Sequence, residues 1–360
     1  MGFFDWLLRR GPSDPRRSTT FAFRRKLISW LLIANISESR RFLENNLDLV
    51  RPESEQLLTN IIRRFPKKSQ IEMPEAKKTI LHRGIVMGGT RQAVRDAYID
   101  EFSALVPLDL PPWLALISNS INFLLLRSTY ENNDSALTLI GTQSSQASLR
   151  ALLPDALSRV RNDNSLSPEI LASLQFLLGG LLVDEENPIS AIEVLTEAAS
   201  VFCLRRFPKK FAQVRMYLGL SYFQKMQLTR DTESDDVLCA IVCLEDALRS
   251  GKPEEDIGEW DQLMRRLCAC YAAIEDYDRV RQLRNEILST LSSIASPEYF
   301  QRAQASLEFL QEREYIENMI ELSSPQAAEM MRERSAWERN SRLSELERVR
   351  VQFAQLCKNG

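Results

Sequence analysis

The stretch Leu178–Ala198 reads LGGLLVDEENPISAIEVLTEA, and its reading decides the fold. Leu178-Gly179 and Leu182 close one apolar helical run, a polar turn follows, and Ala191, Leu195 and Ala198 mark a second run at helical spacing. The same order returns as Leu218-Gly219, Tyr222, Ala240, Leu244 and Ala247. It returns again as Leu267-Cys268, Tyr271, Tyr277, Val280 and Ile287. The step from the small residue to the start of the second run is 12 residues in the first and third copies and 21 in the second, which carries an insertion at about Met226–Asp235. A small residue late in one helix lets its partner approach closely, and an alanine across the pair completes the contact. A lone helical hairpin cannot bury its apolar stripe, so hairpins stack and bury it together.

Three units over residues 173–290 resemble the tetratricopeptide repeat, whose pattern is Leu-Gly, then Tyr, then Ala, a bulky apolar residue and Ala. Ile121, Leu124, Ala136 and Ile140 outline a degenerate earlier unit. The early tryptophan of the family is absent, and Cys268 stands where the third glycine is due. Phe207-Pro208, Ala212-Gln213, Leu218-Gly219 and the insertion with Thr229-Arg230-Asp231 are similar to repeats in bacterial proteins that accompany caspase-like CHAT domains; Ser39–Leu58 faintly resembles a further segment of them. No CHAT protease domain is visible in the sequence.

The resemblance implies an all-α, helical-hairpin solenoid whose first helices line a concave face. Carried over from the family register, that face holds Ser173, Phe176, Val183 and Asp184, then Gln213, Met216, Leu220, Phe223 and Gln224, then Gln262, Arg265, Ala269 and Ala272. Of these, Phe176, Gln213, Met216, Phe223, Gln224, Gln262 and Arg265 are the expected partner-binding residues. The face is apolar and rich in amides, and it lacks the Lys/Asn cluster that clamps a peptide carboxylate in some relatives. A peptide with apolar anchors fits it. The implied function is a non-enzymatic adaptor or scaffold; the alternative is a regulatory or sensor module controlling a CHAT/caspase-like protease or another signalling enzyme.

Composition agrees with a helical chain. Only 12 glycines and 15 prolines occur in 360 residues, too few for a turn-rich β fold or a Gly-rich nucleotide fold. A single histidine, His82, excludes most zinc sites. The net charge is -3, yet residues 1–100 hold 19 Lys/Arg against 11 Asp/Glu, and the remainder is acidic. The six cysteines, Cys203, Cys239, Cys243, Cys268, Cys270 and Cys357, follow no metal-ligand spacing. No secretory signal precedes them, so free, buried thiols in a reducing cytoplasm are expected.

Four regions are expected: a mobile N-terminal segment over 1–20, an N-terminal helical domain over 21–105, the repeats over 106–295, and charged helices over 296–360. Phe21–Ala34 has helical spacing, Ser37 is placed to cap the next helix, and Pro52 to open the third, which Pro66 ends. Pro74 opens a further helix interrupted around Gly84–Gly89, and Arg91–Leu105 is helical. The last region divides near Ser323–Pro325; its first helix carries Leu307, Phe309, Leu310, Tyr315, Ile316, Met319 and Ile320, and its second has the stripe Leu343, Leu346, Val349, Val351 and Phe353. That second helix is either a cap on its own chain or a coiled-coil contact with another. Phe3, Phe4 and Trp6 leave membrane contact as a minor reading, and self-association stays open.

Catalytic and cofactor motifs are not found. Gly84 and Gly89 have phosphate-loop spacing, but Thr90 and Arg91 stand where Lys and Ser/Thr are needed, and no strand precedes them. No nucleophile motif surrounds His82. Arg-Arg-Phe-Pro-Lys-Lys occurs at 63–68 and at 205–210, where the proline can end one helix and start the next. No specific nucleic-acid motif is present. No cofactor or metal is expected.

Overall fold

The computed structural model describes residues 15–33, 35–63, 72–102, 110, 113–114, 151–163, 165–229, 235–250, 257–294, 297, 300–301 and 325–356. Among them the regular structure is helical, with no strand. The chain divides into two compact units, Met1–Leu152 and Leu153–Gly360. The division falls inside the stretch that the sequence reading gives to repeats, and the C-terminal helix belongs with the second unit. Among the described residues no helix is long and apolar enough to cross a membrane.

The first unit contains α1 (Pro15–Leu32), α2 (Ile36–Glu44), a 3-10 turn (Leu47–Leu49), α3 (Pro52–Ile62), α4 (Glu72–Val86) and α5 (Arg91–Glu101). Helix α1 starts at Pro15, so part of the segment set apart over 1–20 is helical. Asn35, not Ser37, caps α2: it holds extended backbone angles and accepts from the Glu38 N–H at 3.0 Å. Pro52 sits at the start of α3 as expected. Helix α4 runs through Gly84 to Val86, so the break lies later than expected, at Met87–Thr90. Gly88 and Gly89 take φ of 95° and 68° there, a left-handed conformation that glycine adopts without Cβ strain. Thr90 then caps α5, accepting from Ala93 N–H at 3.1 Å.

The core of this unit gathers Leu27, Trp30, Leu43, Leu58, Ile80, Val94 and Tyr98. Trp30, Ser39 and Tyr98 pair their polar atoms with one another: Trp30 Nε1 donates to Tyr98 Oη at 2.9 Å and to the Ser39 carbonyl at 3.1 Å, and Ser39 Oγ lies 2.8 Å from Tyr98 Oη. Buried polar groups without such partners are costly.

A helical segment at 151–162, labelled α6, contains the division, and the second unit continues with α7 (Pro168–Asp184), α8 (Pro188–Val201), α9 (Pro208–Thr229), α10 (Asp235–Ser250), α11 (Ile257–Ala273), α12 (Tyr277–Ile294) and α13 (Pro325–Leu356). From α7 to α12 each helix packs on the next, and α9 also touches α7 and α11. This sequential packing is compatible with an all-α repeat fold. The insertion in the second hairpin lengthens α9 through Thr229; residues 230–234 lie outside the described residues, as do 302–324, the degenerate unit at 121–140 and most of the first Arg-Arg-Phe-Pro-Lys-Lys. In its second copy, Pro208 starts α9 as expected, while Arg206 pairs with Glu169 at 3.0 Å.

Glycine is used where helices touch. A Cβ on Gly179 would stand 2.4 Å from Leu195, and one on Gly219 would stand 2.8 Å from Leu244. Leu195 and Leu244 each follow their repeat alanine by four residues, so the two contacts are equivalent. The turns repeat as well. Glu186 and Glu275 take φ of 56° and 60°. Asn187 N–H bonds the Leu182 carbonyl at 2.9 Å, and Asp276 N–H bonds the Tyr271 carbonyl at 3.0 Å. Asn187 and Asp276 then cap the next helix, accepting from Ser190 N–H at 3.4 Å and Arg279 N–H at 3.2 Å. The first and third hairpins therefore turn by the same hydrogen-bond pattern, with one residue in the left-handed region and a capping side chain after it.

Candidate functional site

Helices α7, α9 and α11 are the first members of their hairpins and enclose a groove of about 820 Å³. Met216, Leu220 and Phe223 of α9 recur at intervals of four and three residues, which keeps them on one helical face, and they form its apolar floor. Val183 from the end of α7 and Leu263 from α11 extend it. The rim is polar: Asp184 and Glu186 at the α7 end, Gln224 and Gln227 on α9, and Gln262 and Arg266 on α11.

Several contacts set this shape. Gln224 Nε2 donates to the Val183 carbonyl at 3.1 Å and so ties α9 to the last turn of α7. Its Oε1 is buried and has no partner among the described residues. Tyr217 turns from the groove edge to Phe176, ring edge to ring face at 5.6 Å. Arg266 Nη1 donates to Gln262 Oε1 at 3.3 Å, and among the described residues no carboxylate pairs with it. Burial pushes its guanidinium below the usual arginine range.

The structure brings Met216, Phe223, Gln224 and Gln262 together in the groove, with Val183, Asp184 and Leu220. The remaining expected residues stand elsewhere. Phe176 packs on Tyr217, and the Lys210 ammonium lies 5.8 Å from its ring centre. Gln213 is exposed and accepts from Lys210 at 3.2 Å. Arg265 turns along its own helix to Asp261 at 2.9 Å, and Arg266 lines the groove instead. Ser173 is buried and Ala269 exposed, neither of them lining it. Sequence reasoning missed Glu186, Tyr217, Gln227, Gly258, Leu263 and Arg266. A signal for Gln227 existed, because the 216, 220, 223 series continues to 227 at helical spacing.

Other reactive groups are held quietly. Burial pushes the Cys239, Cys243 and Cys270 thiols up to about 12 and that of Cys268 up to about 11. A thiol at such values carries little thiolate at neutral pH, and the thiolate is the nucleophile. His82 lies exposed, its Nδ1 3.1 Å from Glu55. Among the described residues no group of His, Cys, Asp and Glu gathers as a metal site. No family model, curated protein or solved structure matches the chain.

Proposed function

We propose that the second unit is a tetratricopeptide-like repeat module and that the chain is a non-enzymatic adaptor holding a segment of another protein in the α7–α9–α11 groove. The observation that carries this reading is the groove itself, an apolar floor of Met216, Leu220 and Phe223 inside a rim of amides and charges. The repeated Gly–Leu contacts and the matching turns at Glu186 and Glu275 support the repeat reading.

The rim describes the ligand. An aliphatic or aromatic side chain enters over Met216, Leu220 and Phe223, where leaving water is favourable. A basic group is drawn to Asp184 and Glu186, and an acidic group to Arg266. An extended or helical segment in a groove is an established recognition mode.

The test is a selection of displayed random peptides against the full chain. Selected peptides are expected to carry an apolar anchor flanked by charge, and to lose affinity roughly tenfold or more on Met216→Asp or Phe223→Asp, with far-UV circular dichroism unchanged. Retained affinity in both folded variants contradicts the groove reading.

A further inference from the structure

The C-terminal helix α13 packs on α10 and reaches, through side chains, two of the three helices that wall the groove, α9 and α11. Its Leu346, Val349 and Phe353 are buried. They recur at intervals of three and four residues, which places them on one face of α13. The Phe353 ring meets Tyr222 of α9 edge to face at 6.4 Å. The buried Arg215 of α9 lies over the rings of Phe211 and Phe353, at 5.0 Å and 4.8 Å, and donates to the Phe353 carbonyl at 3.2 Å. Arg350 donates to Glu245 of α10 at 2.8 Å and reaches Tyr271 Oη of α11 at 3.5 Å. Tyr271 Oη in turn donates to Glu245 at 2.7 Å. One helix therefore reaches α9 directly through Phe353, and α11 through Arg350 and the α10 carboxylate.

These contacts lie away from the groove but on the same two helices. Arg215 and Tyr222 each precede a groove residue, Met216 and Phe223, so their side chains project about 100° round α9 from it. Tyr271 is nine residues from Gln262, which places it on roughly the opposite side of α11. A helix fastened at Tyr222 and Tyr271 thus braces both groove walls from outside the groove. The bracing joins an apolar face, Leu346, Val349 and Phe353, to a charged set, Arg215, Glu245 and Arg350, whose members are rehydrated by water when released.

We propose that α13 is a rear clasp that sets the separation of α9 and α11 and so regulates the groove between them. The regulatory role rests on the groove being the binding site. Coupling of this kind is reciprocal: an occupant that prefers the clasped separation also holds the clasp shut.

The experiment reads clasp and groove separately, with no occupant added. Spin labels on non-canonical residues at Gln227 and Gln262 of the full chain report the α9–α11 distance, and amide exchange over 346–353 reports clasp docking. Phe353→Ala and, separately, Arg350→Ala are expected to speed that exchange roughly tenfold or more and to broaden a distance distribution that is narrow in the wild type. Arg350→Ala removes no buried ring, so it remains informative if Phe353→Ala fails to fold. Released exchange with an unchanged 227–262 distribution overturns the proposal, as does unchanged exchange in both variants. Failure of peptides to bind the wild type would instead contradict the adaptor reading and leave the clasp measurement standing.

Discussion

At the scale of the residue, two adjacent glycines make opposite predictions. Gly179→Ala drives a Cβ to 2.4 Å from Leu195, and overpacking of that kind costs about 1–3 kcal/mol. Gly180→Ala meets nothing closer than Tyr217 at 3.7 Å, so the helix gains up to about 1 kcal/mol from alanine. Urea unfolding is expected to show the first variant less stable than the wild type and the second more stable. Leu195→Ala alone costs about 2–5 kcal/mol, and the double variant should lose less than the sum of the two single losses, because the truncation vacates the contested space. The thiols give a chemical test at the same scale. At pH 8 iodoacetamide is expected to spare Cys239, Cys243 and Cys270 in the native chain and to modify them in urea, read by peptide mass mapping. Prompt native labelling of all three would contradict their burial. The Gly179 contact was legible because small residues recur in register. Arg266 was not: the family register named Arg265, and a pattern of spacings does not reveal which of two neighbouring arginines pairs along its own helix and which faces the groove.

At the scale of the element, helix ends are where residues from distant elements intervene. The last turn of α1 and the residue after it leave the carbonyls of Trp30, Leu31 and Ile33 to accept from Lys77 of α4, at 2.8, 3.2 and 2.7 Å. Lys77→Met removes this donor and is expected to cost about 1–3 kcal/mol. Burial pushes the Lys77 ammonium down to about 8, against 10.5 for a free lysine. Between those values the unfolded chain binds more protons, so the Lys77 contribution to stability rises with pH. The stability difference between wild type and Lys77→Met should accordingly move in favour of the wild type from pH 8 to 10.5; a flat difference would contradict the shift. Glu275 occupies a left-handed turn position at φ 60°, where glycine avoids the Cβ penalty. Glu275→Gly is therefore expected to stabilise the unit by a few tenths to about 1 kcal/mol. The turn was partly legible, since Glu186-Asn187 and Glu275-Asp276 stand at matching places after the small residues. The cap of α2 was misread because Asn35 and Ser37 are both good capping residues, and only the backbone angles decide which one is used.

At the scale of the whole molecule, scarce glycine and recurring Leu-Gly registers made an all-helical chain legible, with successive helices packing on one another. The C-terminal helix was legible as an element but not as a contact. Its stripe reading included Val351, which is 55% exposed, and passed over Arg350, the residue that joins α10 and α11. Apolar periodicity finds a face to bury; it does not find a cation that meets a carboxylate 105 positions away. The groove likewise depends on three helices contributed by residues 168–273, and its floor is apolar because Met216, Leu220 and Phe223 share one face of α9. The adaptor account stands or falls on whether that face of α9 is the one a partner uses. Its most direct test is calorimetric affinity of a selected peptide for the full chain carrying Phe223→Asp, set against Gln213→Asp, an exposed position on the same helix. The account expects roughly tenfold or greater loss for Phe223→Asp and wild-type affinity for Gln213→Asp; equal affinities in the two variants would contradict it.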